Sequence, residues 1–319
     1  MPLCRLFETS ELLPAAWRDA FAGGPVRLFN PGLLREGSGW LFAFRAVGPD
    51  LVRRIGLCRL GADLSPVPGS SRPWSDEVLF SPGADLPAQA RRWFADPRLY
   101  RLAGRLHVYW NSGWHEPHNC QFLQEIRPDD LRPIGPPREL RLAGQRRPLE
   151  KNWTLFGDGP FHALYAIRPQ RILEFSLAGE GPIEFREAGA AAAPAAPPNC
   201  LDDLRGGAPP QAVGDHYFAI GHAISASADG YRYAAAVHRF GRRPPFAPER
   251  PPLSPLRLPN PQGDGRAFDR LNPAVGEVIY PCGADYADGN WTISYGINDE
   301  RCAIAVVPHA QVEATLPAA

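Results

Sequence analysis

The chain has 319 residues, 44% of them apolar and 10% aromatic, enough for a sizeable buried core in one large domain or two ordinary ones. Its 34 basic and 34 acidic side chains cancel, so no global field attracts nucleic acid or an anionic membrane, and a charged ligand has to be sought locally. The 37 Pro and 31 Gly argue against long helices and for short strands joined by turns.

The first residues, Met1 to Glu8, lack a basic segment followed by a long apolar core, and no apolar stretch reaches the roughly 20 residues of a membrane span. The expected location is therefore cytoplasmic, with no membrane partner. Ser10 to Arg18 predicts a short helix packed on one face. From Asn30 onward a hairpin pattern recurs five times: a polar or Gly/Pro-marked start, a short strand, a turn containing Gly, and a second strand rich in aromatic and β-branched residues. The first copy runs from Asn30-Pro31-Gly32 through Gly37 to Gly39 into Trp40–Arg45, and the second from Asp96-Pro97-Arg98 through Gly104 into Leu106–Trp110. The third runs from Lys151-Asn152-Trp153 through Gly157-Asp158-Gly159 into His162–Arg168. The fourth starts at Arg205-Gly206-Gly207 and returns in Tyr217–His222; the fifth starts at Gly283-Ala284-Asp285 and returns in Trp291–Gly296.

Starts spaced by roughly 55 to 80 residues leave room for one four-stranded antiparallel sheet each. The predicted class is all-β, a five-bladed β-propeller with four-stranded antiparallel blades, forming a single domain over residues 1–319. A β-sandwich or two smaller β domains is the alternative. Pro/Ala-rich stretches near 187–199 and 242–262 read as loops; Ala190 to Pro198 contains only Ala and Pro. Cys4, Cys58, Cys120, Cys200, Cys282 and Cys302 are too scattered for a disulfide framework or a Cys-x-x-Cys metal site, and are expected reduced and buried. His115-x-x-His118 has metal-like spacing without a third ligand, so neither a metal nor a cofactor is expected.

In a tight hairpin the first residue of strand one and the last of strand two lie at the same end, away from the turn. That rule brings together Asn30 with Arg45, Asp96 and Arg98 with Asn111, Lys151 with Arg168, Arg205 with His222, and Asp285 with Asn298. If every innermost hairpin follows it, these groups ring one mouth of a central channel. Carboxylates, cations and a histidine around one axis suit a ligand with many hydroxyls, or hydroxyls plus a phosphate. Trp110, Trp153 and Trp291, on or beside the hairpins, are candidates for sugar-stacking faces or for packing between blades. Lys151 is the only lysine, the other 33 cations being Arg. A compact ammonium can aim all its donors at one oxygen where a planar guanidinium does not fit, although compositional bias alone also leaves an occasional Lys. Gly206-Gly207 is too short for a nucleotide loop and reads as close backbone approach to a ligand or a neighbouring strand.

Ala95-Asp96-Pro97-Arg98, Lys151-Asn152-x-x-Leu155-Phe156 with Ile167-Arg168-Pro169, Arg205-Gly206-Gly207-Ala208-Pro209-Pro210 with Gly221-His222, and Gly283-Ala284-Asp285 resemble, in order, motifs of glycoside hydrolase family 130. The resemblance covers roughly residues 25 to 305 and implies a five-bladed propeller related to β-1,2-mannoside phosphorylases and mannosyltransferases. It implies that Asp96 matches the general acid, which protonates the glycosidic oxygen through a sugar hydroxyl, and that Arg98, Lys151 and Asp285 match residues lining the sugar and phosphate sites. Asn30, Arg45, Arg168, Arg205 and His222 complete the candidate ligand set. The sequence departs from the phosphorylase pattern at Ile167-Arg168, where phosphorylases carry a His-Arg pair, and after the acid, where only His115 and His118 stand in for an Arg. The phosphate set is thus incomplete, which favours transfer from an activated donor, or hydrolysis, over phosphorolysis. The expected function is inverting transfer or cleavage of a mannoside-type unit, with a sugar or glycan as substrate and phosphate or a nucleotide sugar as candidate co-substrates. A non-catalytic glycan-binding propeller and a protein-interaction scaffold are the alternatives. Oligomeric state is not legible.

Overall fold

The computed structural model describes residues 3–317 apart from 145, 146, 190, 198, 229, 262 and 264. Nearly all regular structure among them is β. Strands β2 (Arg27–Glu36), β3 (Gly39–Val47) and β4 (Arg53–Leu60) form one antiparallel sheet. A second sheet holds β5 (Ala95–Leu102), β6 (Arg105–Asn111), β7 (Gln121–Ile126) and β8 (Arg138–Leu142), followed by β12 (Ile183–Glu187), β11 (Gln170–Phe175), β10 (Phe161–Ile167) and β9 (Thr154–Phe156). The third contains β13 (Leu204–Arg205), β14 (Gln211–Val213), β15 (His216–Ser227), β16 (Gly230–Gly241), β17 (Val275–Ala287), β18 (Asn290–Ile297) and β19 (Arg301–Pro308), with β1 (Leu3–Leu6) on the far edge.

The two larger sheets each contain one parallel seam, β8 with β12 and β16 with β17; every other strand pairing is antiparallel. Divided at those seams, the strands fall into antiparallel groups β2–β4, β5–β8, β9–β12, β13–β16 and β17–β19 with β1, and each predicted hairpin lies in one of them. Apolar packing follows the same order. One cluster joins the first group to the second through Leu41, Leu57, Val108 and Trp110. Tyr109 and Leu123 meet Trp153 and Leu173 between the second and third, and Phe156 and Leu164 meet Ala219 and Phe240 between the third and fourth. Ile220 and Val237 meet Ile293 and Tyr295 between the fourth and fifth, while Cys302 and Ile304 return to Phe42 and Phe44 of the first. Alternate residues of one strand serve two neighbours: on β6, Leu106, Val108 and Trp110 face one cluster and Tyr109 the other. Burial on both faces is why these strands read as continuous apolar runs instead of alternating ones.

Some expectations need correction. The groups are not uniformly four-stranded. Outside β4 and β16 the chain contributes only isolated bridges, Leu57 to Arg72, Leu60 to Pro66 and Phe240 to Pro248, in segments whose prolines lack the N–H a ladder requires. The helix expected over Ser10 to Arg18 is broken into α1 (Thr9–Leu12) and a 3-10 turn at Ala15–Trp17, with Pro14 between them. Strand β1 was not foreseen, because four residues carry little pattern; it pairs with β19 from Leu3 opposite Val306 to Leu6 opposite Ala303. Of the Ala/Pro segment, Ala190 and Pro198 lie outside the described residues, and residues 191–197 carry no helix or strand. The six cysteines are free thiols, and no helix among the described residues is long and apolar enough to cross a membrane.

Candidate functional site

At the open ends of the hairpins lies a cavity of about 480 Å³. Its wall includes Asn30, Arg45, Asp96, Lys151, Arg205 and His222 from the predicted set, together with Arg53, Trp93, Asn111, Asn152, Tyr233, Tyr280 and Asp299. Two short motifs show how the sequence builds it. In β2 the register with β3 skips Asn30 and Pro31, and in β5 the register with β6 skips Asp96 and Pro97. Both are β-bulges, which re-aim a side chain out of the ladder. Asn30 (φ 50°) and Asp96 (φ 52°) occupy the left-handed region that Asn and Asp tolerate better than most residues, and the following Pro sacrifices no ladder donor.

The bulges bring the two side chains together. Asn30 Nδ2 donates to Asp96 Oδ1 at 2.8 Å, Arg45 donates to the same oxygen at 3.3 Å, and Asn111 Nδ2 donates to Oδ2 at 3.4 Å. Burial would push the Asp96 carboxyl up, but the Arg45 charge, the Asn30 hydrogen bond and the more distant charges of Arg98 and Lys151 outweigh it and hold the group below the ordinary carboxylate range. Asp299 behaves oppositely. Burial pushes it up, the neighbouring charge of Arg45 only partly opposes this, and the charge of Asp96 reinforces it. Two carboxyls around one arginine are thus driven apart, Asp96 ionised and equipped to accept a proton, Asp299 holding its proton to higher pH.

His222 packs against Tyr280 (4.5 Å between ring centroids) and Tyr233 (5.4 Å), its ring tilted to theirs by 42° and 51°. Burial first, then the charges of Lys151 and Arg98, push its pKa down to about 3, so the imidazole is neutral at pH 7. Its buried Nδ1 has no hydrogen-bond partner among the described residues. Arg205 lies directly opposite His222 in the β13–β15 register, with its guanidinium bonded to Asp203 at 2.7 Å. Arg53, pushed down to about 10 by burial and by the Arg45 charge, still carries its cation and covers the Trp93 ring at 4.1 Å.

Lys151 stands where this cavity meets a second one of about 470 Å³, lined also by Arg147, Tyr165, Arg168 and Asp202. Among the described residues it makes no ion pair, whereas Arg168 is held by Asp202 (3.0 Å) and by the Leu201 carbonyl (3.3 Å). Arg168 therefore faces the second cavity and not the Asp96 wall. Behind Lys151, Asn152 (φ 65°) accepts the Tyr280 hydroxyl at 2.7 Å, which joins the third hairpin to the fifth group. Gly206 explains how closely the next strand approaches: a Cβ there would lie 2.1 Å from the Asn152 carbonyl oxygen, so the Gly pair serves packing against neighbouring backbone.

Arg98 and Asp285 are not where the expectation put them. Arg98 is fully buried behind the wall, its Nε donating to the Gly207 carbonyl and its guanidinium over the Tyr109 ring at 5.1 Å. Asp285 sits at the opposite end of its hairpin, paired with Thr292 two residues before the turn and bound to Arg35 at 2.8 Å. The strand begins at Val275, ten residues before Asp285, so its mouth end is Val278 to Tyr280 and the carboxylate supplied there is Asp299. Trp110, Trp153 and Trp291 are buried in the core clusters; the indoles in the cavity wall are Trp93 and Trp114. His115 is bonded through Nε2 to Ser112 Oγ at 2.8 Å. Asp299 had one sequence signal: Asn298-Asp299, just past an apolar strand, is a dipeptide suited to the left-handed backbone both residues adopt (φ 55° and 58°).

No family model matches the sequence, and no curated protein sequence matches it. Solved structures do. The β-1,2-mannobiose phosphorylase from Listeria innocua, in complex with β-1,2-mannobiose, superposes with a TM-score of 0.63 at 13% identity, over 98% of this chain and 99% of that one. The chain has a GH130-like fold. A structure from the GH130 family of mannoside phosphorylases, which contains hydrolases that target β-1,2 mannosidic linkages in Candida mannan, gives 0.61 at 14% identity over 88% and 84% of the two chains. A mannose phosphorylase from Leishmania mexicana in complex with a phosphate ion gives 0.52 at 12% identity over 93% and 87%.

Proposed function

We propose that this chain is an inverting carbohydrate-active enzyme of the GH130 type, built as a five-bladed propeller, that transfers or cleaves a mannoside-type unit in the Asp96 cavity. The blade count is supported by the five antiparallel groups and by apolar clusters linking each group to the next and the last to the first. The observation that carries the function is the Asp96 carboxylate, gripped by Asn30, Arg45 and Asn111 at the wall of a polar cavity. Similar folds that hold β-1,2-mannobiose or phosphate support the ligand class.

In such a reaction the bond from the anomeric carbon to the leaving oxygen breaks as a nucleophilic oxygen bonds to the opposite face, and one proton moves between the oxygens. Asp96 handles that proton. Held ionised, it takes the proton of an acceptor hydroxyl, directly or through a neighbouring sugar hydroxyl, which is the requirement of glycosyl transfer; its protonated form serves cleavage in reverse. Lys151, between the two cavities and without an ion pair among the described residues, holds the anionic or departing oxygen, and neutral His222 and the Asp299 carboxyl hydrogen-bond sugar hydroxyls. Where the phosphorylase pattern has a His-Arg pair this chain has Ile167-Arg168, and Arg168 faces the second cavity, which favours transfer or hydrolysis over phosphorolysis.

The test is incubation with β-1,2-mannobiose with and without phosphate, and with mannose 1-phosphate and nucleotide sugars, following release of mannose, phosphate or nucleoside diphosphate. Turnover of one of these that Asp96→Asn abolishes supports the reading. Turnover unchanged in Asp96→Asn, or binding of glycan without turnover of any donor, sinks it.

A further inference from the structure

Asp299 enters the cavity wall from a strained turn. It follows Asn298, and the two are consecutive non-glycine residues in the left-handed region (φ 58° and 55°), a conformation that persists only where surrounding contacts over-determine it. The residues on either side of Asp299 supply those contacts. Before it, the Asn298 amide donates to the Val278 carbonyl at 2.9 Å, and Asn298 Oδ1 accepts the Val278 amide at 3.0 Å. After it, the Glu300 amide donates to the Ile297 carbonyl at 2.9 Å, and the Glu300 carbonyl accepts the amide of Leu28, two residues before Asn30, at 3.1 Å. Glu300 is 1% exposed, and its carboxylate is turned onto backbone: Oε2 accepts the Ala267 amide at 2.9 Å and Oε1 the Phe268 amide at 3.2 Å. Both amides belong to a segment, residues 265–272, that leads to Leu271 and Asn272 in the cavity lining. The segment is fixed at two more points. Arg266 donates to the carbonyls of Asn298 (3.1 Å) and Gly276, and Arg27 of β2, lying over the Phe268 ring at 4.9 Å, donates to the Asp269 carbonyl at 3.0 Å. A carboxylate is tolerated in the interior when donors are aimed at it, so Glu300 and the segment hold each other in place.

We propose that Glu300 is a positioning residue: by clamping Ala267 and Phe268 along the turn from Asn298 to Glu300, it holds the neighbouring Asp299 carboxyl on the cavity wall, where that group meets a ligand hydroxyl. This rests on the sugar-binding reading of the cavity. Asp299 lines the cavity and Glu300 does not, so what Glu300 contributes to binding passes through Asp299. Hydrogen bonds weaken steeply with misalignment, and a turn that drifts by about an ångström loses the bond to the ligand while the sheets around it stay folded.

The experiment is a double-mutant cycle read by calorimetric titration with β-1,2-mannobiose. Glu300→Ala, Glu300→Gln and Arg27→Met are each measured in the otherwise wild-type chain and again with Asp299→Ala, circular dichroism confirming each fold. Expected for Glu300→Ala is a loss of about tenfold in affinity when Asp299 is present and of less than about twofold when it is absent, since no carboxyl then remains to be misplaced. Glu300→Gln keeps one acceptor oxygen for the segment and should lose about threefold, a partial rescue that also vanishes with Asp299→Ala. Arg27→Met cuts the tie of the segment to β2, should follow the same pattern more weakly, and carries the test with Glu300→Gln if Glu300→Ala does not fold. Equal losses with and without Asp299, or no loss at all, overturn the positioning role and leave the sugar-binding reading intact. Wild-type protein that binds no β-1,2-mannobiose overturns both.

Discussion

Two aspartate–arginine pairs, one at each end of the hairpins, show how little an ion pair reveals by itself. Asp285 and Arg35 approach to 2.8 Å, closer than the 3.3 Å between Asp96 and Arg45. Yet the Arg35 and Asp285 side chains are 43% and 21% exposed, whereas Arg45 and Asp96 are each 14% exposed. Water screens the first pair, leaving it worth a fraction of a kcal/mol; the second is reinforced by Asn30 and Asn111 in a concave wall. Burial and surrounding donors, more than distance, separate a surface contact from a carboxylate held in a cavity wall.

The comparison is broken most directly at Asp96. Asp96→Asn turns an acceptor into an amide facing the Asn30 and Arg45 donors, and turnover should fall by about 10³ while glycan binding persists; activity assay and titration together check it. Lys151→Arg keeps the charge but puts a planar fork where a compact head sits between two cavities, so catalytic efficiency should drop about tenfold or more at unchanged thermal stability. A variant indistinguishable from the parent would reduce the lone lysine to an accident of composition.

Asp299 sharpens the comparison through pH. Its folded-state pKa is raised, so its contribution to stability is complete below the ordinary carboxylate pKa and is lost as pH rises through the folded value. Asp299→Asn removes that loss and should raise Tm by roughly 2 °C at pH 8 while leaving Tm near pH 4 unchanged, measured by calorimetric scans. Asp96, with its pKa lowered, works in the opposite sense, adding stability above the ordinary carboxylate pKa that disappears as acid protonates it. The smallest effect belongs to the surface pair: Asp285→Asn should change unfolding free energy by less than about 0.5 kcal/mol and leave turnover alone.

Much of this is legible in the sequence. The hairpins could be found because glycine turns and double-faced apolar strands are local signals, and Asn30-Pro31 and Asp96-Pro97 announce bulges in two residues each. Asp285 was misplaced because the apolar run of β17 starts at Val275, and the extent of a strand depends on its partners; Asp299 was passed over because it lies beyond the last paired residue. The buried Trp110, Trp153 and Trp291 and the wall residues Trp93 and Trp114 look alike in sequence, since an indole suits a core as well as a cavity.

Composition, turn chemistry and strand patterning by themselves determined an all-β chain of five recurrent hairpins with Asp96 and Lys151 at the starts of two of them. These features depend on each residue's own backbone preferences and near neighbours. Only the tertiary structure decided which end of each hairpin meets the cavity, that Arg98 goes behind the wall and Arg168 into the adjoining chamber, and that Asp299 stands beside Arg45 while Asp285 does not. Those choices come from register and from packing between groups far apart in the chain, where the burial of whole faces outweighs any local preference.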